Sequence, residues 1–151
     1  MGGFAGQVWF WMAISAALLW GIGYNISEAL MKKGISPSVL MLLNALIVLP
    51  LYLGLSLKFG NLQKEIGLVL QSKTMIAYFL IGGFTIMGGN WLILSSVAAK
   101  NASLASLIEI SYPLFVILFA WLFFKDVQVN LWTALGGVFI ISGVAIIYLK
   151  N

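Results

Sequence analysis

Long apolar runs separated by short polar stretches dominate the chain. Five such runs cover residues 8–30, 38–57, 74–97, 102–124 and 131–149. A helix needs about 20 mainly apolar residues to cross a hydrocarbon core about 30 Å thick, so each run is long enough. The runs also lack the alternating polarity of membrane β-strands. The pattern predicts an all-α membrane protein, a bundle of five transmembrane helices forming a single domain over residues 1–151.

The longest polar stretch lies between the second and third runs. Leu62, Ile66 and Val69 recur there at helical spacing, opposite Lys64. Such an amphipathic segment predicts a short helix lying in the membrane interface, residues 62–71.

Two prolines lie inside predicted spans, Pro50 in the second and Pro113 in the fourth. A proline inside a helix removes one backbone hydrogen bond, so we expect both helices to be kinked or loosened there. After the fourth span, Asp126 adjoins Lys125 in a tight turn and is predicted to cap the fifth helix.

The composition excludes several classes of protein. Hydrophobic residues make up 62% of the chain and charged residues 8%, whereas a soluble domain has about 45–50% and about 25%. A soluble domain and a nucleic-acid-binding protein are therefore excluded. Cysteine and histidine are both absent, which argues against metal sites, thiol chemistry and an enzyme. No cofactor is predicted, and the first expected partner is the lipid bilayer.

The eight lysines divide evenly between the two membrane faces that five spans would create. Lys58, Lys64, Lys73 and Lys125 fall on the N-terminal side, and Lys32, Lys33, Lys100 and Lys150 fall on the other. Because the face richer in Lys and Arg stays cytoplasmic, this balance leaves two alternatives. The chain inserts in both orientations and pairs as an antiparallel homodimer, or finer details such as the Lys32–Lys33 cluster select one orientation.

Glu109 is the clearest candidate for chemistry. It lies about seven residues inside the fourth span, roughly 10 Å deep at 1.5 Å per residue. Ionisable groups at such a depth are costly and therefore functional candidates. A carboxyl group there suits proton uptake and release, and the alternative is a protonated Glu that bonds a neighbouring helix. Glu28 lies near the end of the first span, where an ion pair with Lys32 is the favoured interpretation.

Asn25, Asn44 and Asn90 are predicted to lie at a depth similar to that of Glu109, about 8–10 Å below one membrane face, and Tyr24 and Tyr112 close to the same level. Together with Trp20 and Trp91, which lie away from the span ends, they are the candidates for a substrate cavity. A polar layer across four helices could bind a substrate, and aromatic faces favour flat or cationic ligands. Hydrogen bonding and packing between helices are the structural alternative. In the fifth span, Gly136, Gly137 and Gly143 are predicted to serve helix packing or a dimer contact.

The order of these elements resembles the EamA-type domain of the drug/metabolite transporter superfamily. The most specific part runs from Ser111 to Gly143 and includes the core Tyr112-Pro113-Leu114-Phe115. Leu19-Trp20-Gly21 resembles the start of the same domain. The turn after the fourth span usually ends in Gly-Glu in this family, whereas Lys125-Asp126 stands here. Usual members also carry two such five-helix repeats of opposite topology, whereas this chain has one.

The resemblance implies a secondary transporter in a prokaryotic cytoplasmic membrane. It would export or exchange small organic metabolites or drugs by alternating access, with a cavity between two inverted repeats. A single repeat would need a second copy, so the resemblance and the lysine balance together favour an antiparallel homodimer, with proton coupling through Glu109. The alternative is a structural or accessory membrane subunit that pairs with another half-transporter or membrane enzyme and transports nothing itself.

Overall fold

A computed structural model describes residues 7–126 and 129–150 of the chain. Within these residues the regular elements are seven helices. They are α1 (Val8–Lys32), α2 (Pro37–Phe59), α3 (Leu62–Leu70), α4 (Lys73–Ala99), α5 (Ala102–Glu109), α6 (Tyr112–Phe124) and α7 (Leu131–Lys150).

Five segments of the described chain are long and apolar enough to cross a membrane. They are α1, α2, α4, α7 and the stretch Ala102–Phe124, which contains α5 and α6. The predicted all-α membrane protein with five spans is confirmed, and the span ends agree with the prediction to within two residues. Most large apolar side chains along these helices are exposed, as expected of surfaces that face lipid tails or another protein.

The fourth span, predicted as one helix that is kinked or loosened at Pro113, is divided in the structure. It consists of α5 and α6, separated at Ile110 and Ser111. Both the backbone N–H and the hydroxyl of Ser111 donate to the Ile108 carbonyl, at 3.1 and 2.8 Å. Pro113 then occupies the first turn of α6, where a backbone N–H would have no acceptor within the helix. The fourth span therefore ends one helix and starts another.

Capping groups explain the other helix boundaries. At the end of α1, Gly34 has a φ of +97°, and the N–H of Ile35 reaches back to the Leu30 carbonyl at 3.4 Å. A left-handed residue at this point favours glycine because a side chain would crowd the backbone. The cap of α7 is Asn130, whose Oδ1 accepts from the N–H of Thr133 at 2.9 Å. Asp126, which the sequence predicted as this cap, lies too far ahead because α7 begins only at Leu131.

The chain divides into two compact units. The first contains the chain up to Asn25 together with the part from Ala99 onward. In it α5 packs against α7, with Ala102 and Ala105 buried. Gly137 of α7 is also buried, and a Cβ added to it would lie 2.8 Å from Cδ2 of Leu114. Small residues thus let these helices approach closely.

The second unit runs from Ile26 to Ala98 and has its own small core. Leu40 of α2 and Leu94 and Val97 of α4 are buried. The short helix α3 is capped by Asn61, whose Oδ1 accepts from the Lys64 N–H at 3.2 Å. Glu65 accepts in return from the Asn61 N–H at 3.0 Å, which satisfies two backbone donors reciprocally. The helix predicted at residues 62–71 is therefore present.

Candidate functional site

Glu109 is the last residue of α5, and its side chain is half-buried in the first unit. It stands directly before the Ile110–Ser111 break. Because Pro113 has no N–H, it cannot donate to the carbonyl four residues earlier, which is that of Glu109. A carboxyl group and a backbone carbonyl without its usual helical donor thus belong to the same residue, inside a membrane-spanning segment.

The hydroxyl of Tyr24 on α1 binds this carboxyl group. The phenolic oxygen lies 2.8 Å from Oε1 and 2.8 Å from Oε2 of Glu109. The two residues are 85 positions apart in the chain, so the bond ties α1 to the end of α5. A hydrogen bond to an ionised acceptor is stronger than one between neutral groups. Tyr24 can therefore stabilise a carboxylate without adding a charge of its own.

A neutral partner distinguishes Glu109 from the acid nearer the membrane surface. Glu28 of α1 forms an ion pair with Lys32, one helical turn further on, as the sequence predicted. A lysine favours the charged form of a carboxyl group, whereas a phenol can donate to a carboxylate and accept from a protonated carboxyl. The hydrogen bond between Tyr24 and Glu109 can therefore form with the carboxyl group ionised or protonated.

Other candidates in the first unit lie near this pair along the chain but are less enclosed. Trp20 lies one turn before Tyr24 on α1 and is exposed. Asn25 is exposed, and its amide donates to the Gly21 carbonyl at 2.8 Å, so it binds its own helix. Tyr112, the first residue of α6, is also exposed. The structure thus joins Tyr24 to Glu109 and leaves Trp20 and Tyr112 on open helix surfaces.

The remaining candidates belong to the second unit. Asn44 lies on α2, and Asn90 and Trp91 are neighbours on α4. All three are exposed in the single chain. Their contribution to a shared polar layer with Glu109 stays a prediction.

The glycines of α7 separate into two kinds. Gly137 is in close contact with Leu114 of α6, so it serves packing inside the first unit. A Cβ on Gly136 or Gly143 would meet nothing within 4 Å. These two positions therefore leave the α7 surface open to lipid or to another chain.

A shallow apolar cavity of about 260 Å³ lies between α6 and α7. Its lining residues are Ser111, Leu114, Phe115, Leu118, Ile141 and Val144. Ser111 is the one polar residue of that lining, and its hydroxyl is already bonded to the Ile108 carbonyl. The cavity therefore offers apolar contact beside the break and little hydrogen bonding.

The sequence reasoning missed two features of this site. It grouped Tyr24 with residues that line a cavity, whereas its hydroxyl binds Glu109 directly. It also missed the role of Ser111 in the break. A signal was available, because Ser-x-Pro is typical of a helix that restarts, with proline in the first turn. The long apolar run through residues 102–124 masked that signal.

A comparison with protein families finds one match that covers nearly the whole chain. The model of the EamA-like transporter family matches residues 7–149. No curated protein and no solved structure matches the chain.

Proposed function

The chain belongs to the EamA-like transporter family, and from this premise we propose that it is a secondary active transporter. It exports or exchanges small organic metabolites or drugs across the cell membrane by alternating access. The membrane-spanning domain of a transporter family is the basis for this function. The finer elements, which are a homodimer, an antiparallel arrangement and proton coupling, each rest on their own observation.

Pairing with a second copy is favoured by the even distribution of lysines around the five spans. Alternating access in inverted-repeat transporters uses two halves around a site near the bilayer midplane. One set of five spans provides one half, and a second copy in the opposite orientation would provide the other. Four lysines toward each face leave neither orientation preferred. An antiparallel homodimer is therefore the proposed arrangement.

Proton coupling through Glu109 is the step carried by the most direct observation. Its carboxyl group lies in a membrane-spanning segment and is bonded to a neutral phenol at 2.8 Å. Ionisable residues inside membrane-spanning segments are rare and mark proton pathways in pumps and transporters. Uptake of a proton by Glu109 on one side and its release on the opposite side would link the proton gradient to movement of the substrate.

Transport by reconstituted protein tests the role of Glu109. Proteoliposomes with an imposed pH gradient would be supplied with ethidium, a flat organic cation, and separately with a panel of amino acids. We expect Glu109→Gln to lower gradient-driven transport by at least about tenfold, equivalent to about 1.4 kcal/mol. Exchange of labelled substrate without a gradient should persist, because Gln keeps the shape and the hydrogen bond.

Glu65→Gln is the matched control for this experiment. Glu65 lies outside the membrane spans on α3, and Gln retains the oxygen that accepts from the Asn61 N–H. Wild-type transport is expected of this control. Equal transport by Glu109→Gln and wild type would remove Glu109 from the mechanism. If wild-type protein moves none of the probes, the accessory-subunit alternative gains support instead.

The pairing has its own test in native membranes. A reporter fused to the C-terminus should be active on both sides of the membrane if the chain inserts in both orientations. Replacing Lys32 and Lys33 by Asn leaves four lysines on one face and two on the other, which should drive insertion into a single orientation. Activity of the wild-type fusion on one side alone would contradict antiparallel pairing.

A further inference from the structure

The contact between Tyr24 and Glu109 has a symmetry that a simple helix–helix hydrogen bond does not need. The phenolic oxygen is equidistant from both carboxylate oxygens, at 2.8 Å each. It therefore favours neither oxygen of the carboxylate over the other. We propose that Tyr24 is a positioning residue that holds the Glu109 carboxyl in one place during proton uptake and release, beside the α5–α6 break. This inference rests on the proposed proton coupling through Glu109.

A phenol is suited to this task because it is both a donor and an acceptor. Its single proton can serve either oxygen of an ionised carboxylate. When Glu109 gains a proton, its new O–H can donate to the phenolic oxygen, or the phenol can continue to donate to the other oxygen. The pair is therefore satisfied in both protonation states. Lysine would favour the ionised state alone, and phenylalanine would satisfy neither.

The place of the pair in the fold explains why holding the carboxyl matters. Glu109 ends α5, and its bond to Tyr24 attaches that end to α1. On the other side of the break, Leu114 of α6 is in close contact with Gly137 of α7. The Ile110–Ser111 break thus lies between two attached segments. A carboxyl held beside it keeps a fixed position relative to the backbone when α6 moves.

Few other titratable groups belong to the elements around this pair. Tyr112 is the one titratable residue of α6, and α5 carries no titratable residue besides Glu109. The titratable residues of α7 are Tyr148 and Lys150, in its last turn. Along α1, Glu28 follows Tyr24 by one turn and pairs with Lys32. The Tyr24 hydroxyl is therefore the partner of Glu109 that substitution can change most directly.

Infrared spectroscopy of the full chain in lipid bilayers tests the proposal without a known substrate. The C=O stretch of a protonated carboxyl group is followed against pH, and the band absent from Glu109→Gln is assigned to Glu109. In Tyr24→Phe we expect this band to move to higher frequency, because its hydrogen bond is lost. Its titration midpoint should rise by about one pH unit, because the ionised form loses its donor.

Two further variants complete the experiment. One should shift the midpoint in the opposite direction, and the other is a control. Replacing Tyr24 by 3-fluorotyrosine keeps the ring and makes the hydroxyl a stronger donor, so the midpoint should fall instead. This variant preserves the packing if Tyr24→Phe does not fold. Tyr148→Phe removes an exposed phenol at the end of α7 and should leave both the band and its midpoint unchanged.

The outcomes separate this inference from the proposed function. A titrating Glu109 band with the same midpoint in wild type, Tyr24→Phe and the fluorotyrosine variant would overturn the positioning role and leave proton coupling intact. If no titrating band disappears in Glu109→Gln, proton coupling itself fails, and the positioning role fails with it. Opposite shifts in the two Tyr24 variants, matched by shifts in the pH profile of transport, would support both.

Discussion

Pro50 and Pro113 both lie in membrane-spanning segments. The helix continues through Pro50, whereas a break at Ile110 and Ser111 precedes Pro113. Helix α2 runs from Pro37 to Phe59 without interruption. The fourth span is divided into α5 and α6. Each proline removes a donor to the carbonyl four residues earlier, which belongs to Leu46 in one case and to Glu109 in the other. Loss of that donor alone therefore does not decide whether the helix breaks.

The local alternatives for hydrogen bonding explain the difference. Beside Pro50 the neighbours are apolar, so nothing competes with the helical bonds. Two residues before Pro113, Ser111 donates twice to the Ile108 carbonyl. Serine alone does not break a helix either, because Ser95 binds the Trp91 carbonyl inside the continuous helix α4. The combination of serine with proline two residues later allows one helix to end and the next to begin.

The largest effect is expected from replacing Pro113, with the same substitution of Pro50 as its control. Pro113→Ala restores an N–H that can bind the Glu109 carbonyl, which favours a continuous fourth span. We expect gradient-driven transport to fall by about tenfold or more, equivalent to about 1.4 kcal/mol, because the break would no longer bend. Amide exchange at residues 109–113 should slow. Pro50→Ala serves as the control, and a loss of transport as large as that of Pro113→Ala would contradict the comparison.

A smaller effect is expected where α6 is attached to α7. Gly137→Ala places a Cβ 2.8 Å from Leu114 Cδ2, whereas Gly136→Ala meets no neighbour. Alanine favours a helix over glycine by about 0.5–1 kcal/mol, and overpacking costs typically about 1–3 kcal/mol. Because the leucine end can rotate, we expect Gly137→Ala to be about 1 kcal/mol less stable than Gly136→Ala. Unfolding in mixed detergent would measure the difference, and equal stabilities would show that the contact is not tight.

The smallest effect is expected from the serine hydroxyls. Ser111→Ala removes the bond to the Ile108 carbonyl and should destabilise the protein by about 0.6 kcal/mol, a value similar to the average for hydrogen bonds between membrane helices. Ser95→Ala removes a similar bond from a helix that is continuous without it, so its effect should be close to zero. The same unfolding measurement compares them. A larger loss for Ser95→Ala would mean that the serine bond does not stabilise the break.

Much of the fold could be predicted from the residues. The five spans, their ends to within two residues and the short helix α3 followed from apolar length and from the amphipathic pattern at Leu62 and Ile66. The family resemblance, based on Ser111 to Gly143, is confirmed by the match over residues 7–149. Less could be predicted at helix boundaries, where Asn130 rather than Asp126 caps α7. Such boundaries depend on which of several nearby polar side chains caps the helix, and the alternatives differ only slightly in free energy.

The candidate site could be predicted only in part. The depth of Glu109 identified it as a candidate, because an acid inside a long apolar run is rare and costly. Depth could not identify its partner, since Tyr24 and several asparagines were predicted near the same level. The contact of Gly137 could not be predicted either, because two adjacent glycines give no sign in the sequence of which one faces α6.

The sequence by itself determined that five runs are long and apolar enough to cross a membrane, because the length and polarity of a run decide whether it is stable in lipid. It also determined that one acid, Glu109, lies well inside a span rather than near its end. The tertiary structure decided that Tyr24 meets Glu109 from 85 residues away and that Gly137 is the glycine in contact with α6. The physical reason is that these helices are apolar on nearly every side, so the pattern does not indicate which face turns inward. Close packing and a few hydrogen bonds set that rotation, and they exist only once the helices have met.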